Sequence, residues 1–193
     1  TKVVMDHMKP QFYGKATPEQ VSELARGLGV APEAILATGW PVQVVSTGIR
    51  QLFVPVRSLK EVQAMSVGKQ DTGIMLRVCE ALDPADHANG SIMVFCTETV
   101  SAAANVHTRM FVPGVGIPED PATGSASGGL GAYLIEHGIF AATLPTTLII
   151  AEQGLEMGRP SRVEIEVDGT PGAIQMVRVG GQAVKMIEGV LSW

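Results

Sequence analysis

Arg109-Met110-Phe111-Val112-Pro113-Gly114-Val115-Gly116-Ile117-Pro118-Glu119-Asp120-Pro121-Ala122-Thr123-Gly124-Ser125-Ala126 is the stretch that decides how the rest of the chain is read. It reads as the end of a strand running from 106 to 112, a Gly/Pro-rich loop, and the mouth of a helix. Thr123 or Ser125 can cap that helix, because a hydroxyl there accepts from backbone N–H groups that lack an intrahelical partner. A Gly-Ser-Ala start leaves those groups sterically open, and the helix dipole adds partial positive charge. The result is a seat for a carboxylate or phosphate. Glu119 and Asp120 stand beside it, where a buried carboxylate can exchange a proton with a bound substrate. The same residues also describe an ordinary loop-to-helix transition, and chemistry alone leaves the two readings level.

The helix that follows is unusual. Ala126, Leu130, Tyr133, Leu134 and His137 form an apolar stripe at helical spacing. Gly128, Gly129 and Gly131 lie inside it, each costing roughly 1 kcal/mol relative to Ala. A helix carrying that penalty is expected to have other backbone packed very close to it. Gly138 ends it, and His137 in the last turn reads as a structural histidine placed against the dipole.

At 193 residues, 46% hydrophobic and 17% charged, the chain can bury a core and is not disordered. A net charge of -5 without a basic cluster excludes nucleic acid and anionic membrane as natural partners. No apolar run approaches the roughly 18 residues of a spanning helix, and no signal-peptide pattern is present. Cys79 and Cys96 have no CxxC spacing and read as buried free thiols of a cytoplasmic protein. Asn89-Gly90-Ser91 matches a glycosylation sequon but reads as a turn, and His87 beside it as solvent-facing. Thr1 in place of Met leaves open a processed or truncated start.

Along the chain, residues 2–5 are β-prone. Thr17-Pro18-Glu19-Gln20 opens a helix with a capping-box arrangement, Val21, Leu24, Ala25 and Leu28 follow at helical spacing, and Gly29 ends it. A second short helix starts at 31–35. Residues 42–47 and 51–56 form a hairpin broken at Gly48. The hydroxyls of Ser46-Thr47 there either face a ligand or cap the turn. Ser58 starts a helix reaching about 67, and 73–82 fits helix or strand. Strands are expected at 91–97, 106–112, 148–152, 162–167, 174–179 and 184–190.

Glu119 to Ala126, preceded by Arg-x-Phe-x-Pro and followed by Leu130 and Tyr133-Leu134, closely resembles the signature of the phenazine-biosynthesis isomerase-like family. Two further strings are similar to that family's: Ser46-Thr47-Gly48, and Gln153-Gly154 with Gly158-Arg159-Pro160-Ser161. Arg159 there either pairs with acids near the cleft or belongs to a tight turn. The resemblance implies an α+β, diaminopimelate epimerase-like fold: a mixed or antiparallel curved sheet, barrel-like, wrapped around a central helix. It spans nearly the whole chain but corresponds to the C-terminal half of a two-domain family. Residues 1–9 are then expected as strand and linker left from the first half. Residues 10–193 are expected as the C-terminal epimerase-like domain, its last strand packing on the missing half.

In that family the catalytic Glu, and a His in a Gly-His motif, lie in the first half. None of His7, His87, His107 and His137 follows a Gly, and no Glu sits in the Asn-Pro setting. The resemblance makes Asp120 the cleft aspartate and Gly124-Ser125 the receivers of the substrate carboxylate. Thr123, Ala126, Ser46, Thr47, Gly48 and Arg109 complete the expected substrate-binding set. Asp120 stands where related racemases carry Cys, which argues against a two-thiol mechanism.

The implied function is one half of a cofactor-independent isomerase or epimerase that moves protons on a small carboxylate, inert without the half that carries the Glu. Expected partners are that small carboxylate, a chain carrying the N-terminal half, and/or a second copy in a homodimer. No metal and no cofactor are expected, since the His, Cys and Asp/Glu residues lack ligand spacing. The alternative is a non-catalytic carboxylate-binding or interaction module of the same fold. A flavin or nucleotide site is disfavoured, because the glycines form neither a dinucleotide fingerprint nor a phosphate loop.

Overall fold

The computed structural model describes residues 1–85 and 90–190 of the chain. His87 and Asn89 lie outside the described residues. Ten strands form one mixed sheet: β1 Lys2–Asp6, β2 Gln11–Lys15, β3 Gln43–Ser46, β4 Arg50–Pro55, β5 Ile92–Cys96, β6 Val106–Val112, β7 Ile117–Asp120, β8 Thr146–Gln153, β9 Ser161–Asp168 and β10 Met176–Gln182. Their order is β1-β10-β9-β8-β6-β5-β4-β3-β2, with β7 paired to β6 off that path. Neighbours are antiparallel except β4–β5 and β6–β8. β1 and β2 are edge strands yet consecutive in sequence, which requires the sheet to curl. The segment between them bridges the gap: His7 N donates to Val177 O at 2.9 Å and Met8 N to Thr47 O at 3.2 Å. β1 pairs with β10 along its whole length, so residues 2–6 belong to the same sheet as the rest.

Five helices complete the fold: α1 Pro18–Leu28, α2 Glu33–Leu36, α3 Leu59–Ala64, α4 Thr72–Leu82 and α5 Gly124–Glu136. The capping box of α1 forms as its residues dictate, with Gln20 N donating to Thr17 Oγ1 and Thr17 N to Gln20 Oε1. The ambiguous stretch 73–82 is the helix α4, started by the Asp71 carboxylate.

Alternation along the central strands divides two cores. Phe53, Met93, Phe95, Val106 and Met110 point inward to Ala126, Leu130, Tyr133 and Leu134 of α5. Leu52, Val54, Ile92, Val94 and Phe111 point outward and pack with residues of α1 to α4. Strands buried on both faces read as unbroken apolar runs, as 92–95 does.

Every residue of α5 from Ala126 to Ile135 is buried. Its glycines answer close neighbours, but these are side chains and not backbone. A Cβ on Gly129 would lie 2.7 Å from Phe53 Cζ, and one on Gly131 2.4 Å from Ile165 Cγ2. At the far end of α5, His137 Nε2 lies 2.7 Å from Gln43 Oε1, and its ring contacts Tyr133. Burial lowers the His137 pKa, which favours the neutral ring over the cation expected from a dipole partner.

Two local readings differ from the structure, and an open one, that of Arg159, is decided by it. Residues 11–15 and 117–120 are strands, neither of which was expected; β7 exists because β6 offers it a partner. Residues 183–190 form no strand, since β10 ends at Gln182 and Val184, Met186, Ile187 and Val190 stay exposed. Arg159 is exposed within a tight turn closed by Arg159 N to Gly154 O, and no acid among the described residues pairs with it. Among the described residues no helix is long and apolar enough to cross a membrane.

Candidate functional site

The two acids ahead of α5 part company because successive strand residues face opposite ways. Glu119 faces outward. Its carboxylate takes Arg109 Nε and Nη2, both at 2.8 Å, while Arg109 Nη1 donates to Val62 O and Met65 O at 3.0 and 2.7 Å. Arg109 lies on β6 at the same parity as Phe111, under α3 and away from the mouth of α5. Four of its guanidinium contacts are thus internal and it is 3% exposed, so it is a clamp for β7 in this structure and not a group open to ligand. That parity places Arg109, expected from the sequence in the substrate-binding set, and Glu119, expected beside the seat, on the outer face and away from the mouth of α5.

Asp120 faces the other way. Its Oδ2 accepts from the Thr123 hydroxyl, and its carbonyl accepts from Gln153 Nε2 at 2.7 Å. Gln153 also donates to Thr123 Oγ1 at 3.0 Å and accepts from Thr123 N at 3.3 Å. Thr123 occupies the N-cap position, but its hydroxyl turns to Asp120 and makes no capping bond. The first i→i−4 bond of the turn is Ser127 N to Thr123 O, so the N–H groups of Gly124, Ser125 and Ala126 precede the ladder. A Cβ at Gly124 would meet only Val179 Cγ1, at 4.0 Å, which leaves this end of the helix sterically open.

Beside that mouth is a cavity of about 180 Å³ lined by Met5, Asp6, His7, Met8, Thr47, Gly48, Ile49 and Ser125. Ser125 Oγ accepts from Gln51 Nε2 at 3.2 Å, which leaves its O–H to donate elsewhere. The end of β3 at Ser46 separates the two hydroxyls of the Ser-Thr-Gly string. Thr47 meets His7, with Oγ1 3.0 Å from Nδ1, whereas Ser46 Oγ accepts from Gly48 N at 3.1 Å and caps the turn. Ala126 contributes backbone only, its side chain being buried in the core.

The structure therefore brings Ser125, Thr47 and Gly48 to one cavity, and Asp120 and Thr123 to the adjoining loop. It does not bring Ser46 or Arg109 there. Sequence reasoning missed His7, Gln51 and Gln153. Gln153 was legible only as the first residue of a family-like string, and the other two carried no local signal.

A second polar cluster lies under the outer face. His107, fully buried, has Nδ1 2.7 Å from Glu152 Oε1 and Nε2 2.9 Å from Glu156 Oε1. Glu152 also accepts from Val100 N and Ser101 N, and Glu156 Oε2 lies 3.9 Å from Arg109 Nε. Burial alone would depress the His107 pKa, but the two carboxylates outweigh it and raise it. For Glu156, burial is likewise outweighed by the bond to His107, and its pKa is lowered. Cys96, on the outer face, is pushed up to about 12 by burial, so it is no nucleophile, and neither Cys79 nor Cys96 is in a disulfide. Among the described residues no group of His, Cys, Asp or Glu is arranged to hold a metal ion.

Residues 2–189 match the family model described as Phenazine biosynthesis-like protein. An uncharacterized isomerase of Mesorhizobium japonicum is 34% identical over 168 residues, 87% of this chain and 53% of that protein. The trans-2,3-dihydro-3-hydroxyanthranilate isomerase of Pseudomonas fluorescens is 28% identical over 171 residues, 88% of this chain and 52% of that one. Among solved structures, a phenazine biosynthesis protein of the PhzF family from Bacillus anthracis superposes with a TM-score of 0.77 at 26% identity, covering 93% of this chain and 57% of that one. The chain spans about half the length of the curated relatives it matches.

Proposed function

Since the chain belongs to the phenazine biosynthesis-like family, we propose that it forms one wall of an isomerase or epimerase site acting by proton transfer on a small carboxylate. The observation that carries this reading is the juxtaposition at the start of α5. The N–H groups of Gly124, Ser125 and Ala126 stand outside the helical ladder, Ser125 lines the cavity beside them with its O–H left to donate, and Asp120 lies in the next turn of chain. The carboxylate is held by Gly124, Ser125 and Ala126, with Thr47 and Gly48 forming the opposite rim. The N–H groups of Gly124 to Ala126 stabilise charge as it develops beside the carboxylate.

Asp120 orients or relays a proton, and Thr123 and Gln153 hold it in place. The principal acid/base, a Glu, comes from a second half, supplied by another chain or by the remainder of a longer polypeptide. That half, or a second copy of this chain, covers apolar residues such as Val3, Met5 and Met8, which are exposed here. The reaction is a proton transfer and calls on no cofactor. We place it in the cytoplasm.

The test is reconstitution. This chain, alone and mixed with the N-terminal half of a relative, is assayed for deuterium uptake from D₂O into trans-2,3-dihydro-3-hydroxyanthranilate and other small carboxylates. Uptake is expected only in the mixture and is expected to fall at least a hundredfold with Asp120→Asn, within the usual range for a positioned acid or base. Activity of this chain alone would refute the division between halves, and a full rate with Asp120→Asn would refute the role given to Asp120.

A further inference from the structure

We infer that His7 is itself a substrate contact, its imidazole Nε2–H donating to the carboxylate seated at the start of α5; this rests on the carboxylate reading above. The ring is housed by a notch in the helix. A Cβ on Gly128 would lie 2.3 Å from His7 Nδ1 and 2.7 Å from its Cε1, so only glycine leaves room for the imidazole. The ring is also oriented. Thr47 Oγ1 stands 3.0 Å from Nδ1, while the backbone of residues 7 and 8 is tied to Val177 O on one side and Thr47 O on the other.

His7 Nε2 is shielded yet has no hydrogen-bond partner. A shielded polar atom without a partner is unfavourable, and a tip of the ring toward the cavity that His7 shares with Thr47 and Ser125 lets a carboxylate oxygen there satisfy it. Burial lowers the His7 pKa and keeps the ring neutral. The Thr47 hydroxyl can donate to Nδ1 or accept from it, and a carboxylate at Nε2 selects the tautomer in which Thr47 donates and the single ring proton sits on Nε2. A histidine that merely filled the notch would leave Nε2 indifferent to ligand.

The experiment is an NMR titration of the full chain, labelled with ¹⁵N in its amides and histidine rings, with anthranilate as the carboxylate probe. Anthranilate is expected to shift the Ser125 and Ala126 amides and the His7 Nε2 resonance together. His7→Phe, which keeps ring volume and removes the donor, should bind at least about tenfold more weakly, the range for a hydrogen bond to a charged group. His7→Gln, which keeps an N–H donor, should recover part of that loss. Gly128→Ala, whose methyl displaces the ring and also meets Thr47 Oγ1 at 2.9 Å, should weaken binding at least as much as His7→Phe does. Seat amides that shift while His7→Phe binds with wild-type affinity would overturn the His7 inference and leave the carboxylate seat standing. No shift of the seat amides at any anthranilate concentration would overturn the seat, and this inference with it.

Discussion

Replacing Glu119 by Ala separates the two roles open to that residue, proton carrier or clamp. The structure makes it a clamp. Arg109 is 3% exposed, and Glu119→Ala leaves its guanidinium facing a void where two charge-assisted hydrogen bonds of 2.8 Å had been. Removing one partner of such a buried pair typically destabilises by about 3–5 kcal/mol. Nη1 keeps the carbonyls of Val62 and Met65, the Glu156 carboxylate stands 3.9 Å from Nε, and the charge keeps the Phe111 ring at 5.1 Å, so the lower end applies, about 3 kcal/mol. An unfolding entropy of roughly 2.1 cal/mol/K per residue gives about 0.4 kcal/mol/K for a chain of this size, hence a Tm lower by about 7 °C.

The assay is thermal unfolding followed by circular dichroism, with urea titration to check that the transition stays two-state. Glu119→Gln should also lose stability, because it turns an amide N–H₂ toward the guanidinium. The double variant Glu119→Leu with Arg109→Met should lose less than Glu119→Leu alone, since the stranded charge is gone. A Glu119→Ala protein melting within about 2 °C of wild type would refute the clamp, because 2 °C is under 1 kcal/mol on the same scale. Proton exchange abolished without loss of Tm would return Glu119 to the chemistry.

Gly131→Ala gains about 1 kcal/mol of helix propensity but puts a methyl 2.4 Å from Ile165 Cγ2 and 3.1 Å from Val167 Cγ2, both on a paired strand; a net loss of about 1–3 kcal/mol is expected by thermal melting. Gly124→Ala, whose Cβ meets nothing nearer than 4.0 Å, should leave the Tm unchanged or slightly raised. Gln153→Leu strands the Asp120 carbonyl and the Thr123 N–H, at about 1–3 kcal/mol each, and should accelerate amide exchange across residues 120–126 while β9 stays protected. The His107 cluster gives stability a signed pH dependence. A raised His pKa contributes most below the ordinary value of about 6.5 and is lost as pH rises through the folded-state value. The lowered Glu156 pKa contributes above about 4.5 and is lost as pH falls through its folded-state value. The excess stability of wild type over His107→Phe should therefore shrink from pH 6 to pH 9, and a constant difference over that range would exclude a charged His107.

What was legible in this chain is what local chemistry decides, and what was hidden is what the curl decides. The α1 capping box, the glycine after it and the helix behind Thr123 need only their own residues to form, and the sequence shows all three. β7 is the opposite case. Ile117-Pro118-Glu119-Asp120 has little β-propensity, yet pairing with β6 makes it a strand, and strand parity then sends Glu119 to the outer face and Asp120 to the mouth of α5. Without that parity the two acids read as one site.

The same rule puts Arg109 on the outer face, so much of what the sequence left unplaced in the site traces to one unseen variable, the face on which each strand residue falls. His7 was beyond even that. Its environment is made by Thr47, 40 residues on, and by the missing Cβ of Gly128 in α5, which follows six further strands, β2 to β7, in the chain. The glycine that looked like a penalty within its own helix is the feature that admits the histidine. A glycine excess inside a buried helix is thus better read as a request for a partner elsewhere in the chain than as local weakness, and at position 128 that partner is a side chain able to bind.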